Sequence, residues 1–240
     1  MACDFKVRPT GNDGPPLLVP YEVDVLFHEF GHVMHSQLSR MDYATTSGTN
    51  NIPRFALETP GMFMEYWCKD KRTLTSISSH YKDKRPLPEK LVNNLLAAKK
   101  FQRALDFLRQ LEYALVDTEL NSIEAEGRSA QDILDTLGTK AYITPRPDYY
   151  RRWNYDDAWF GVRSPATYYG YIWARIRASE VFAKFEERGG QSPETGRLFR
   201  EKVLAQGGSK DPVQIYREFL GREPSSDAFV REFGLAVTHT

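Results

Sequence analysis

Cysteine is scarce in this chain of 240 residues, which holds only Cys3 and Cys68. The two lie far apart in a sequence with no secretory leader, a usage expected of a protein kept in a reducing cytoplasm. Cys68 follows the aromatic and methionine run of residues 62–67, where a cysteine serves as a small buried hydrophobe, so it receives no ligand or redox role. Neither sign of charge prevails, since Lys plus Arg and Asp plus Glu both total 32. With no net field there is nothing to draw in nucleic acid or an anionic membrane. No apolar run reaches the roughly eighteen residues of a membrane helix, and there is no lipidation signal. Internal repeats and low-complexity tracts are absent, and the period-two alternation of strands is rare. What is present is a hydrophobic fraction of 41%, enough for a real core, arranged with helical spacing. The expected fold class is all-α.

Residues 1–20 are rich in Gly and Pro (Gly11, Gly14, Pro15, Pro16, Pro20) and lack periodicity, so they are expected to form an irregular lead-in that looks like a cut. In residues 21–38, Val23, Phe27, Phe30, Met34 and Leu38 recur at threes and fours, the mark of a helix with one buried face. A second helix is expected over residues 55–69, although Pro60 and Gly61 lie inside it. Apolar spacing from Leu91 to Leu115 predicts a long helix or a pair. Ser164-Pro165 is expected to open another helix through Phe182. Ser192-Pro193-Glu194 gives a cap, a first-turn proline and a first-turn acid to the next, with Gly207-Gly208 as its end. Short amphipathic segments follow at residues 213–220 and 227–233. Residues 21–240 are thus expected to form one interlocked helical unit.

His28-Glu29-Phe30-Gly31-His32 is an H-E-x-x-H sequence on the first of these helices. Residues four apart lie about 40° apart around a helix, so both imidazoles project from one face and can share a metal ion. Glu29, beside them, can take a proton from a metal-bound water and pass it to a leaving amine, which is peptide hydrolysis. The alternative is a solvated helix that happens to carry two histidines. Gly31 costs roughly 1 kcal/mol in a helix relative to Ala, which suggests that a neighbouring element approaches closely there.

A catalytic zinc site usually takes three protein ligands. The metzincin pattern is excluded, because Leu38 stands where its third histidine would fall and His35 where its glycine would. Glu58 and Glu65 on the following helix are the acidic candidates. Seven apart, they share one helical face, so that one can bind metal while the other hydrogen-bonds a ligand imidazole. Spacing leaves the choice open. His35 lies on the face of His28 and His32, where it either supports the site or simply packs.

Over most of its length the sequence resembles the thimet oligopeptidase family of zinc peptidases, and its C-terminal catalytic portion in particular. The likeness is carried by residues 28–35 (HEFGHVMH), Ser47-Gly48-Thr49, residues 55–60 (FALETP) and Met64-Glu65-Tyr66-Trp67. It continues through residues 95–100 and 108–113, the tyrosine run Tyr168-Tyr169-Gly170-Tyr171 with Trp173, Gly207-Gly208-Ser209 and residues 219–224. The resemblance implies one Zn²⁺ per chain on His28, His32 and Glu58, with Glu29 as general base and Glu65 supporting the site. It also implies that Tyr168 and Tyr171 face the active site and hold the scissile carbonyl; packing in a helical core is the other reading of those tyrosines. The substrates implied are oligopeptides.

Three departures from the family pattern stand out. Pro60-Gly61-Met62 replaces Pro-Ser-Gln, which removes a polar pair. The glycine-rich turn before the tyrosine run is shorter in residues 161–167 and lacks its histidine, a loss that can cost roughly a hundredfold to a thousandfold in turnover if an oxyanion donor goes with it. Only 27 residues precede the motif, where the family has a large helical region. An open zinc face, apolar surface from residues 149–160 and self-association are therefore expected. The expected function is a zinc endopeptidase acting on short peptides. Its rivals are a degenerate zinc module that binds peptides without cutting them and an interaction domain with no metal.

Overall fold

The computed structural model describes residues 3–6, 14–122, 127–129, 132, 133, 135–137 and 164–234. The all-α class holds: among the described residues there is no strand, only an isolated bridge between Ser79 and Pro86. No helix among them is long and apolar enough to cross a membrane.

Helix α1 runs Pro20–Leu38, one residue earlier than its periodicity suggests. Proline suits the first turn, where its missing N–H has no intrahelical partner to lose. Glu22 then reaches back to accept the Val19 backbone N–H at 2.9 Å and the Lys6 N–H at 3.1 Å, tying part of the lead-in to the helix. Helix α2, Arg54–Trp67, continues through Pro60, and it packs on α1 more extensively than any other pair of described helices. A Cβ on Gly31 would lie 2.4 Å from the Pro60 carbonyl oxygen and 2.7 Å from Gly61 Cα. The two backbones therefore meet directly, which gives Gly31 its reason.

The chain continues as α3 (Lys71–Ile77), α4 (Glu89–Lys100), α5 (Arg103–Leu120), α6 (Tyr169–Glu187), α7 (Pro193–Lys202), a 3₁₀ turn (Leu204–Gln206), α8 (Pro212–Leu220) and α9 (Asp227–Glu232). The apolar register from Leu91 to Leu115 resolves into the pair α4 and α5, broken where Gln102 takes a φ of 54°. Helix α3 escaped the sequence pattern; Asp70 starts it by accepting the Thr73 N–H at 2.8 Å. Ser164-Pro165 does not open α6. Ala166 sits at a φ of 54°, and the cap comes from Asp117 of α5, which accepts the backbone N–H groups of Ala166 at 3.1 Å and Tyr168 at 2.8 Å. Helix α7 opens as expected on Ser192, which accepts from the Thr195 N–H at 3.2 Å, but it stops at Lys202 and tightens into the 3₁₀ turn before reaching Gly207.

Contacts divide the chain into two compact units, Met1–Phe101 with Ala174–Thr240, and Gln102–Trp173. The core of the first is aromatic. Phe63 of α2 lies 4.8 Å from Phe199 and 5.1 Å from Phe185 between ring centroids, and Trp67 lies 5.1 Å from Phe182. These contacts fix one face of α2 in the core and leave Glu58 and Glu65, seven residues apart, on another. In the second unit Val116 is fully buried against Tyr113, Leu120 and Leu137.

Candidate metal centre

One turn of α1 separates His28 from His32, and the close passage of α2 brings Glu58 to them. The two imidazole Nε2 atoms are 3.0 Å apart, and Glu58 Oε2 stands 3.4 Å from each. A tetrahedral zinc with bonds of about 2.0–2.1 Å would need its donor atoms roughly 3.3 Å apart. The triangle formed by these residues has that size, and two imidazoles with one carboxylate are a donor set suited to zinc. Among the described residues it is the one cluster of this kind.

The two acids whose roles spacing leaves open occupy different places. Glu58 Oε2 completes the triangle, while Arg54 Nη1 holds its other oxygen at 3.4 Å. Glu65 sits behind His28, with Oε1 2.7 Å from His28 Nδ1. A proton donated there from Nδ1 leaves the Nε2 lone pair for the triangle. Arg175 of α6 approaches the second oxygen of Glu65, Nη2 to Oε2 at 3.6 Å. Gly61 leaves room for the ring, since a Cβ there would lie 2.9 Å from His28 Cε1 and Nε2. The replacement of Pro-Ser-Gln by Pro60-Gly61-Met62 thus puts bare backbone against the imidazole, and Met62 is buried. Arg54 and Arg175 gave no sequence signal. Gly61 gave one, as a departure from the family pattern.

Burial works to lower the His28 pKa, but Glu58 and Glu65 outweigh it and raise it to about 9. Burial likewise works to raise Glu58, and the two imidazoles hold it down at about 2. The metal-free pair is therefore ionised at neutral pH, with a proton on His28 that a metal must displace. Zinc uptake at pH 7.5 is expected to release about one proton from His28, and the release should fade above pH 9, where that proton is already gone. Calorimetry in two buffers of different ionisation enthalpy measures it, and zinc uptake at pH 7.5 with no proton release would contradict this charge state.

Glu29, next to His28, is half-buried. His35 lies outside the triangle: it is buried, its Nδ1 has no hydrogen-bond partner, and burial together with the charge of His32 lowers its pKa to about 4. Tyr168 and Tyr171 belong to the second unit, with ring centroids 5.2 Å apart. The Tyr168 hydroxyl donates to Gln110 Oε1 at 2.8 Å, and Tyr113 packs on its ring at 5.6 Å. Of the shortened turn, residues 164–167 are described and residues 161–163 are not; the aromatic stretch 149–160 also lies outside the described residues.

An all-helical chain that brings two imidazoles and a carboxylate together, with a glutamate between the histidines in sequence, has the plan of a helical metallopeptidase. The chain belongs to peptidase family M3, whose model matches residues 1–235. It is 39% identical to oligopeptidase A of Salmonella typhimurium over 238 residues, 98% of this chain and 35% of the relative. Oligopeptidase A of Escherichia coli K12 gives the same identity and coverage. Saccharolysin of Saccharomyces cerevisiae is 32% identical over 240 residues, 98% of this chain and 33% of the relative. The chain thus spans about a third of the length of these curated relatives.

Proposed function

We propose that this chain forms the catalytic centre of a zinc-dependent endopeptidase that hydrolyses short peptides. The observation that carries the reading is the triangle of His28 Nε2, His32 Nε2 and Glu58 Oε2, whose edges of 3.0 and 3.4 Å suit a tetrahedral ion. Zinc bound there would lower the pKa of a water to about 7 and polarise the substrate carbonyl. The chain's residues do the rest. Glu29 takes the water's proton and delivers it to the nitrogen of the leaving amine. Glu65 holds the proton of His28 Nδ1, so that ring keeps one tautomer throughout.

Tyr171 donates its hydroxyl to the oxygen of the scissile carbonyl as negative charge develops there. Tyr168, which now donates to Gln110, must exchange that acceptor to do the same. Tyr171→Phe is therefore expected to lower kcat more than it raises KM, because the hydrogen bond strengthens in the transition state. A change confined to KM would make Tyr171 a substrate-binding residue instead.

The whole reading is tested with a quenched peptide, the purified chain, a chelator and zinc added back. Hydrolysis that stops with the chelator and returns with zinc supports it. Tight zinc binding without hydrolysis would make the chain a peptide-binding module, and hydrolysis indifferent to the chelator would remove the metal. A cytoplasmic location fits the free thiols of Cys3 and Cys68, and cell fractionation checks it. Self-association of the chain expressed alone is checked by a light-scattering mass.

A further inference from the structure

We infer that Arg175 is a positioning residue for the metal centre: its guanidinium fixes the Glu65 carboxylate that orients His28, and so sets how tightly zinc is held. This rests on the zinc reading above. The geometry assigns each Glu65 oxygen a separate contact, Oε1 to His28 Nδ1 at 2.7 Å and Oε2 to Arg175 Nη2 at 3.6 Å. A glutamate side chain has several rotatable bonds, and its terminal torsion is broad. Held at one oxygen, the carboxylate can swing about that contact; an ion pair at the other oxygen limits the swing.

The plane of the carboxylate matters because Glu65 is the partner of His28 Nδ1, while Nε2 faces His32 and Glu58 in the triangle. One face of the ring lies on the bare backbone of Gly61, where a Cβ would come within 2.9 Å. Backbone contact limits how far the ring can tilt but does not choose which nitrogen carries the proton. That choice belongs to Glu65. The side chains of Arg175 and Glu65 are 31% and 20% exposed, so their attraction is screened less than that of a surface pair. Acidic neighbours Glu65, Glu232 and Asp24, with Tyr66, favour the cation at position 175 against the burial that opposes it. A neutral side chain of the same length would leave Glu65 Oε2 without this partner.

The test compares Arg175→Met and Arg175→Lys with the unmodified chain. Zinc affinity is measured by competition with a chromophoric chelator, and the His28 Nδ1–H is followed by proton NMR in the metal-free protein. The methionine variant is expected to hold zinc roughly tenfold more weakly, the lower end of what disturbing the support of a metal ligand costs. Lysine restores the charge, and is expected to stay within about threefold of the unmodified chain. The Nδ1–H signal, protected by Glu65, should persist in the lysine variant and be lost to exchange in the methionine one.

Because Arg175 acts through Glu65, adding Arg175→Met to Glu65→Gln should cause no further loss. Full zinc affinity in the methionine variant, or losses that simply add in the double variant, would overturn the proposal. If the methionine variant does not fold, Arg175→Gln takes its place with the same expectations. If the unmodified chain takes up no zinc, the zinc reading fails by itself. The NMR signal then decides the role of Arg175, and its persistence in the methionine variant overturns it.

Discussion

Replacing Glu29 with glutamine is expected to lower peptide turnover by roughly a hundredfold to ten-thousandfold while the chain keeps about one zinc. Both halves of that result follow from where Glu29 stands. It neighbours His28 on α1 but contributes no atom to the triangle of His28, His32 and Glu58. An amide of nearly the same size therefore leaves the donor set intact. It cannot accept a proton from water at neutral pH, so the step that generates the nucleophile fails. Metal analysis and turnover of a quenched peptide on the same preparation measure the two halves together. Undiminished turnover would remove Glu29 from the reaction, and loss of zinc would make it part of the metal's support instead.

How much of this centre could be read from the sequence depended on how local each relation is. His28, Glu29 and His32 sit within one and a half turns of a helix, and the 3.6-residue period alone places both imidazoles on one face. Glu58 and Glu65 were legible as a pair for the same reason, but not which of them meets the imidazoles. That depends on how α2 crosses α1, and the crossing depends on the backbone contact of Gly31 with Pro60 and Gly61. Arg175 was not legible at all, since it reaches Glu65 from a helix more than a hundred residues further along the chain. The same limit applies to the fold. The start of α7 was legible because Ser192 caps it locally. The start of α6 was misread because its cap, Asp117, lies on α5.

Glu58→Gln should weaken zinc binding by more than the roughly ten- to hundredfold that outer hydrogen-bond partners cost, and Glu65→Gln should fall within that range. Glu58 supplies the only negative charge among the three donors, and a neutral amide oxygen is a poorer ligand for a divalent ion. The difference should also depend on pH, with a sign set by His28. In the unmodified chain the His28 pKa of about 9 makes zinc compete with a proton, so apparent affinity rises by about tenfold per pH unit from pH 7 to pH 9. Glu58 is one of the two carboxylates that hold this proton on. Removing it lets His28 deprotonate at lower pH, so the variant's affinity should level off earlier. The gap between the two chains should then be smaller at pH 7 than at pH 9, because at pH 7 the unmodified chain still bears the proton competition that the variant has partly escaped. Chelator competition at both pH values measures this. If Glu65→Gln proves the more damaging change at pH 9, where proton competition is weakest, the metal carboxylate is Glu65, and Glu58 is the residue that orients an imidazole.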